Sequence, residues 1–183
     1  LRDRFNIPII GMEPAVKPAL EVTLNKMVGV LATSGTSKSA KFSALLEKYS
    51  GDVKFFVQPC PGLVNAIERG NFDDAELFGL LEKYLANFKK NSVDTIVLGC
   101  THFVYIKHLV KKIMGANIRI VDTSEAVARQ LKVKLDEINL RSNSSEPQET
   151  MKLILTKHKN IPQVIDQFLS GSNVSFKLER SWH

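Results

Sequence analysis

The stretch Asp94-Thr95-Ile96-Val97-Leu98-Gly99-Cys100-Thr101-His102-Phe103 constrains this chain more than any other. Thr95 to Leu98 are rich in branched apolar side chains and show no polar alternation. This is the pattern of a strand covered on both faces, as in a parallel sheet flanked by helices. Gly99 is expected to let the backbone turn sharply at the strand's end. From Tyr105 to Met114, Ile106, Leu109, Val110 and Ile113 recur at helical spacing, and Gly115 closes the run. Cys100, Thr101 and His102 therefore fall in a strand-to-helix loop, where open parallel sheets bind ligands. A thiol followed by a hydroxyl and an imidazole has the parts for base or nucleophile chemistry: His102 can exchange protons, and helix amides favour a thiolate. A small buried thiol beside an ordinary loop histidine is the competing reading, and the residue types alone do not separate the two.

The same alternation runs through the rest of the chain. Ile7 to Gly11 reads as an opening strand, and Pro14 and Pro18 punctuate a crossover with a hinge near Glu13. Met27 to Ala32 is a second doubly buried strand, followed by Thr33-Ser34-Gly35-Thr36 and a helix with Phe42, Leu45, Leu46 and Tyr49 on one side, which Thr36 or Ser37 can cap. Two hydroxyls three residues apart at a helix start suit a carboxylate, although a cap without a ligand uses the same residues. Val53 to Val57 is the next strand. Gln58-Pro59-Cys60-Pro61-Gly62 then leads into a short helix with Leu63, Val64 and Ile67 inward and Glu68 at its far end. Cys60, between two prolines, reads as a packing thiol, because nothing near it in sequence would lower its pKa. Asp73-Asp74-Ala75-Glu76 reads as a capping box for a long helix whose apolar face runs from Leu77 to Phe88. Ile118 to Asp122 is a further strand, and Asp122-Thr123-Ser124-Glu125 opens a helix with Val127, Leu131, Leu135 and Ile138 on its apolar side. Residues 141–150 are mostly polar and read as a loop. The tail offers a strand over 151–156, a helix over 161–169 and a strand over 174–178.

Composition narrows the class. The chain has 183 residues, 44% hydrophobic and 24% charged, which is ordinary for a globular protein able to bury a core. No apolar run approaches the ~20 residues of a membrane helix, and the first residues lack an apolar signal segment, so a cytoplasmic protein with no membrane association is expected. Two cysteines in different loops make no disulfide framework, and both are expected reduced. The net charge of +6 rests on lysines such as Lys89, Lys90, Lys111 and Lys112 on or beside amphipathic helices. No basic stripe is interleaved with aromatics, so nucleic acid is not an expected partner. His108 stands six positions after His102, the wrong spacing for one helical face, and no Cys-x-x-Cys or His-Glu-x-x-His pattern occurs; no metal site is expected.

Taken together, Gly29-Val30-Leu31-Ala32-Thr33-Ser34-Gly35-Thr36, Cys60-Pro61-Gly62-Leu63-Val64 through Glu68, Leu98-Gly99-Cys100-Thr101-His102 and Val121-Asp122 before a helix closely resemble the glutamate racemases of the aspartate/glutamate racemase family. The resemblance implies an α/β fold of two similar parallel-sheet domains with the active site between them. Residues 13–122 would form one complete domain, and residues 1–12 and 123–183 would belong to the other, most of which should precede Leu1. It implies a racemase that interconverts L- and D-glutamate for peptidoglycan synthesis, needs no pyridoxal phosphate or other cofactor, works with two cysteines facing each other across the substrate, and commonly forms homodimers. Cys100 and His102 match the second half of such a site, Glu68 matches a glutamate that assists proton traffic, Thr33 and Thr36 match the threonines that hold a substrate carboxylate, and Thr101 would touch substrate.

The resemblance is incomplete. The family's first cysteine lies in a Cys-Asn-Thr motif and an acidic partner in an Asp-Ser-Gly motif, and neither occurs here. The chain alone is therefore expected not to racemise, and to carry an uncovered apolar face that favours self-association. Phe103-Val104 stands where the family usually has tyrosine and proline, which would change pocket polarity and loop shape. Aspartate racemases share the two-thiol logic, and a non-catalytic module that binds a carboxylate at Thr33 and Thr36 is the reading from another class.

Overall fold

The strand Met27–Ala32 (β1) sits between two parallel neighbours and sets the architecture. The computed structural model describes residues 4–5 and 7–141 and the strands over 150–155 and 175–180. On one side β1 pairs with Lys54–Pro59 (β2), from Met27↔Lys54 to Ala32↔Pro59. On the other it pairs with Thr95–Leu98 (β3), from Val28↔Thr95 to Leu31↔Leu98, and β3 pairs with Arg119–Val121 (β4). The order β2-β1-β3-β4 is that of an all-parallel α/β sheet, as the alternation of strand and helix patterns requires.

Helices cover both faces. One is packed by Val16–Val22 (α1) and Ala40–Tyr49 (α3), the latter preceded by the short helix Ser34–Ser37 (α2). There Val16, Ala19 and Phe42 meet Val28, Val30 and Val97. The other face is packed by Leu63–Glu68 (α4), Ala75–Lys90 (α5) and Lys107–Met114 (α6), whose buried side chains join Leu31, Ile96 and Leu98 in the larger core. Alternation along β1 sends Val28 and Val30 one way and Leu31 the other. Gly29 points with Leu31, and a Cβ there would lie 2.7 Å from the Phe88 ring, so this position is a socket for an aromatic of α5.

Asp94 organises the amino-terminal edge of the sheet. Its carboxylate accepts from Thr23 Oγ1 at 2.7 Å, the Leu24 and Asn25 amides at 2.7 and 3.0 Å, and Thr95 Oγ1 at 2.9 Å, and it pairs with Arg119 at 3.8 Å. Burial by itself would raise its pKa, but these hydrogen bonds outweigh it and hold the carboxyl below the usual range. The segment entering β1, the start of β3 and the start of β4 are thereby joined at one residue.

Several local expectations differ from the structure. Residues 7–11 form no strand and join no ladder of the sheet. The helix start at α5 is capped by Asp74, which accepts from the Glu76 amide at 3.0 Å, and not by a box built on Asp73. Thr36 and Ser37 do not cap α3. Thr33 caps α2 instead, accepting from the Thr36 amide, and Ser39, the N-cap of α3, makes no side-chain cap bond. In the helix Ser124–Glu137 (α7) Thr123 makes no hydroxyl cap; Asp122 accepts from the Ser124 amide at 3.0 Å instead. The apolar side of α7 is largely uncovered, with Leu131 47% and Ile138 39% exposed.

Thr150–Leu155 (β5) and Ser175–Arg180 (β6) form a parallel pair, from Thr150↔Ser175 to Leu155↔Arg180, close to the strands expected over 151–156 and 174–178. The helix expected over 161–169 and nearly all of the loop expected over 141–150 lie outside the described residues. Among the described residues no helix is long and apolar enough to cross a membrane.

Candidate active site

The loops after β1 and β3 lie side by side at the carboxyl edge of the sheet. From β1 the chain next goes to β2 on one side, and from β3 to β4 on the other, so the two loops flank the point where the winding reverses. This is where a doubly wound sheet opens a crevice. A cavity of about 760 Å³ occupies it, lined by Gly35, Thr36, Ser39 and Lys41 from the β1 side, Gly99, Cys100 and Thr101 from the β3 side, and Met12, Glu13 and Thr123 from the flanking segments.

Gly99 is required here by close approach. Its φ does not lie in the left-handed region, so backbone conformation does not demand a glycine here. Its amide donates to the Leu31 carbonyl at 2.8 Å, and a Cβ would lie 2.7 Å from that oxygen. Cys100 follows as the N-cap residue of a 3-10 helix over Thr101–Ile106, so Thr101 and His102 occupy its first turn and not an open loop. Phe103 is fully buried in the larger core and does not line the cavity; a missing hydroxyl at that position leaves the cavity's polarity unchanged.

Three of the residues singled out from sequence come together in a line. Cys100 Sγ lies 3.8 Å from His102 Nδ1, and His102 Nε2 lies 3.0 Å from Glu68 Oε1 at the end of α4. With the carboxylate accepting from Nε2–H, Nδ1 carries the lone pair that faces the thiol. The thiol thus has an adjacent proton acceptor, itself oriented by a third group, which is the arrangement that activates a nucleophile or base. Thr33 and Thr36 are also together, their hydroxyls 3.0 Å apart. Thr36 and Thr101 line the cavity with Cys100, whereas Thr33, His102 and Glu68 stand outside its lining.

Cys60 is different in kind. It is 2% exposed, its thiol donates to the Gln58 carbonyl at 3.3 Å, and burial pushes its pKa up to about 12. Tyr84 Oη donates to the Pro61 carbonyl at 2.6 Å and holds this loop against α5. A neutral, enclosed thiol of this kind packs and does not react.

Asp122, at the end of β4, accepts from Lys107 Nζ at 3.2 Å as well as from the Ser124 amide. Burial would raise its pKa, but those two partners outweigh it and keep the carboxyl below the usual range. The pair braces the first residue of α6 against the neighbouring strand. Sequence reasoning missed this brace and also missed Ser39 and Lys41 in the cavity wall. Their only signal was position, just beyond the Thr33-to-Thr36 loop. Among the described residues no group of three or more His, Cys, Asp or Glu side chains could hold a metal ion.

Residues 1–131 match the family described as Asp/Glu/Hydantoin racemase. The chain is 50% identical over 132 residues to a glutamate racemase of Pseudomonas paraeruginosa, a match covering 72% of this chain and 50% of that protein. It is 46% identical over 141 residues to one of Pseudomonas syringae pv. tomato, covering 76% and 51%. Among solved structures, Escherichia coli glutamate racemase in complex with L-glutamate and the activator UDP-MurNAc-Ala superposes with a TM-score of 0.80 at 25% identity, over 98% of this chain and 67% of that one. Glutamate racemase from Aquifex pyrophilus gives 0.62 at 30% identity, over 97% and 66%. The chain spans about half the length of the curated relatives it matches.

Proposed function

This chain belongs to the Asp/Glu/Hydantoin racemase family, and from that premise we propose that it supplies one half of the active site of a glutamate racemase, an enzyme that interconverts L- and D-glutamate for bacterial cell-wall synthesis. The observation that carries this reading is the line from Cys100 to His102 to Glu68, at 3.8 and 3.0 Å, beside a cavity at the reversal of the sheet.

Inverting an amino acid's α-carbon needs a base on one face and an acid on the other. In the proposed reaction the Cys100 thiolate takes the α-proton from one face, leaving a planar carbanion, and a second thiol delivers a proton to the opposite face. In the reverse direction the Cys100 thiol is the donor. His102 takes up and returns the proton of Cys100, and Glu68 keeps the imidazole in the tautomer that can do so. Thr36 and Thr101 bind substrate from the cavity wall, and Thr33 fixes the Thr36 hydroxyl. Cys60 cannot be the second thiol, because it is enclosed and held neutral. The assembled protein is read as a homodimer built around residues 13–122 as a complete domain.

The test is D-glutamate formation from L-glutamate in D2O, by the chain alone and by a longer protein that contains it. Exchange of the α-proton with retention, without D-glutamate, is expected of the chain alone; conversion to D-glutamate would overturn its assignment as half a site. In the longer protein racemisation is expected and Cys100→Ser should abolish it; undiminished turnover of that variant would overturn the role of Cys100.

A further inference from the structure

Among the described residues, Lys41 is the single cationic side chain in the wall of the cavity that holds Cys100, and Glu13 is the single acidic one. Neither is neutralised by the other or by a neighbour: among the described residues no ion pair or hydrogen bond engages the Lys41 ammonium or the Glu13 carboxylate. Lys41 sits in the first turn of α3, which contains no acidic residue, and its side chain is exposed at the cavity wall. Most other charged groups of the site region are already paired. Glu68 faces His102, and Lys107 faces Asp122.

The chemistry of the ligand decides what such a charge is for. Every α-amino acid brings an ammonium and an α-carboxylate, so these two groups do not distinguish one amino acid from another. A side-chain carboxylate does, and a positive charge in the wall favours it over a neutral side chain, whereas hydroxyls and amides accept both. A lysine is a point charge on a flexible stem, able to meet an anion at a cavity wall without fixed geometry. A charge in a concave, partly desolvated site acts more strongly than the same charge on an open surface.

We propose that Lys41 is a specificity-determining residue: it selects ligands with an anionic side chain for the cavity beside Cys100, with Glu13 as the counter-charge available to the ammonium. The inference rests on the racemase reading for the identity of the substrate, but its test does not depend on turnover.

Cys100 is the probe. Its alkylation in the intact chain is measured with neutral iodoacetamide and with anionic iodoacetate, which differ in charge and little in size. A unit positive charge across the cavity, acting through a medium between protein and water, raises the local concentration of an anion by about three- to tenfold. The iodoacetate-to-iodoacetamide rate ratio is therefore expected to fall by about that factor in Lys41→Gln, to fall further in Lys41→Glu, to be retained in Lys41→Arg, and to collapse in the unaltered chain at high salt. Any change in the thiolate population that follows the loss of the charge affects both reagents alike, so it cancels in the ratio and leaves the anion's own attraction. A ratio unchanged in Lys41→Gln overturns the proposal, and if Lys41→Glu does not fold, an unchanged ratio in the salt titration does so alone. A lowered ratio in a protein that fails to racemise leaves anion selection standing and removes only the reaction.

Discussion

Glu68 and His102, 34 positions apart, meet at 3.0 Å, and the far side of the same imidazole faces the Cys100 thiol. The contact links the end of α4 to the first turn after β3, so the readiness of Cys100 depends on a helix that does not line the cavity. His102→Asn removes the proton acceptor and should slow iodoacetamide labelling of Cys100 at neutral pH by about tenfold, less than the roughly 10²–10⁴-fold of a closely positioned acid–base group because thiol and imidazole stand 3.8 Å apart. Glu68→Gln should slow it by only about two- to threefold, because an exposed carboxylate is readily replaced by water. Equal effects of the two would contradict the order of the line.

The two cysteines should separate cleanly by reactivity. With the Cys60 thiol pushed up to about 12 and enclosed, one thiol per chain should react with a disulfide reagent in the native state at pH 8, and the second only after denaturation. Mass mapping that finds Cys60 labelled in the native protein would remove it from the core.

Gly29 exists to admit Phe88. A methyl group at Gly29 would overlap the ring at 2.7 Å, and Phe88 is fully buried with nowhere to retreat. Gly29→Ala should cost about 1–3 kcal/mol, the range for overpacking a core, read as a lower urea midpoint at unchanged slope. Gly29→Ala combined with Phe88→Leu should recover part of the loss.

Asp94 predicts the acid limb of stability. Its carboxyl titrates lower in the folded chain than in the unfolded one, so its contribution is fully present above the unfolded value near 4 and is lost as pH falls through the folded value. Asp94→Asn should lower stability at pH 7 by about 2–4 kcal/mol, because several donors lose a charged acceptor. It should also flatten the pH dependence of unfolding below pH 4. Parallel curves for the two proteins over that range would show that other carboxylates set the limb.

The strands that were legible in the sequence are those whose burial is written in their own residues. Val28 to Ala32 and Thr95 to Leu98 are buried throughout, and their apolar runs mark them without ambiguity. Ile7 to Gly11 has similar composition but forms no strand: composition does not say whether a segment reaches a sheet edge, and β2 and β4, the open edges of the sheet, take no partner from it. The apolar positions of α7 were equally visible, yet periodicity says nothing of what covers a face, and Leu131 and Ile138 are left uncovered. At the site, the positions of Cys100 and Thr36 followed from local pattern. The contact of Glu68 with His102 and the arrival of Lys41 in the cavity wall are products of how the helices pack, and local pattern does not encode packing.

The bonding hub at Asp94 lies at the edge of the sheet opposite Cys100, with the full length of the strands between them. Substitutions in the cavity loops therefore leave the hub's bonds intact, and substitutions at the hub leave the cavity's walls in place. This division of labour gives the chain a tolerance that a single shared network would lack: the cavity end is free to change what it binds while the opposite end keeps the protein folded.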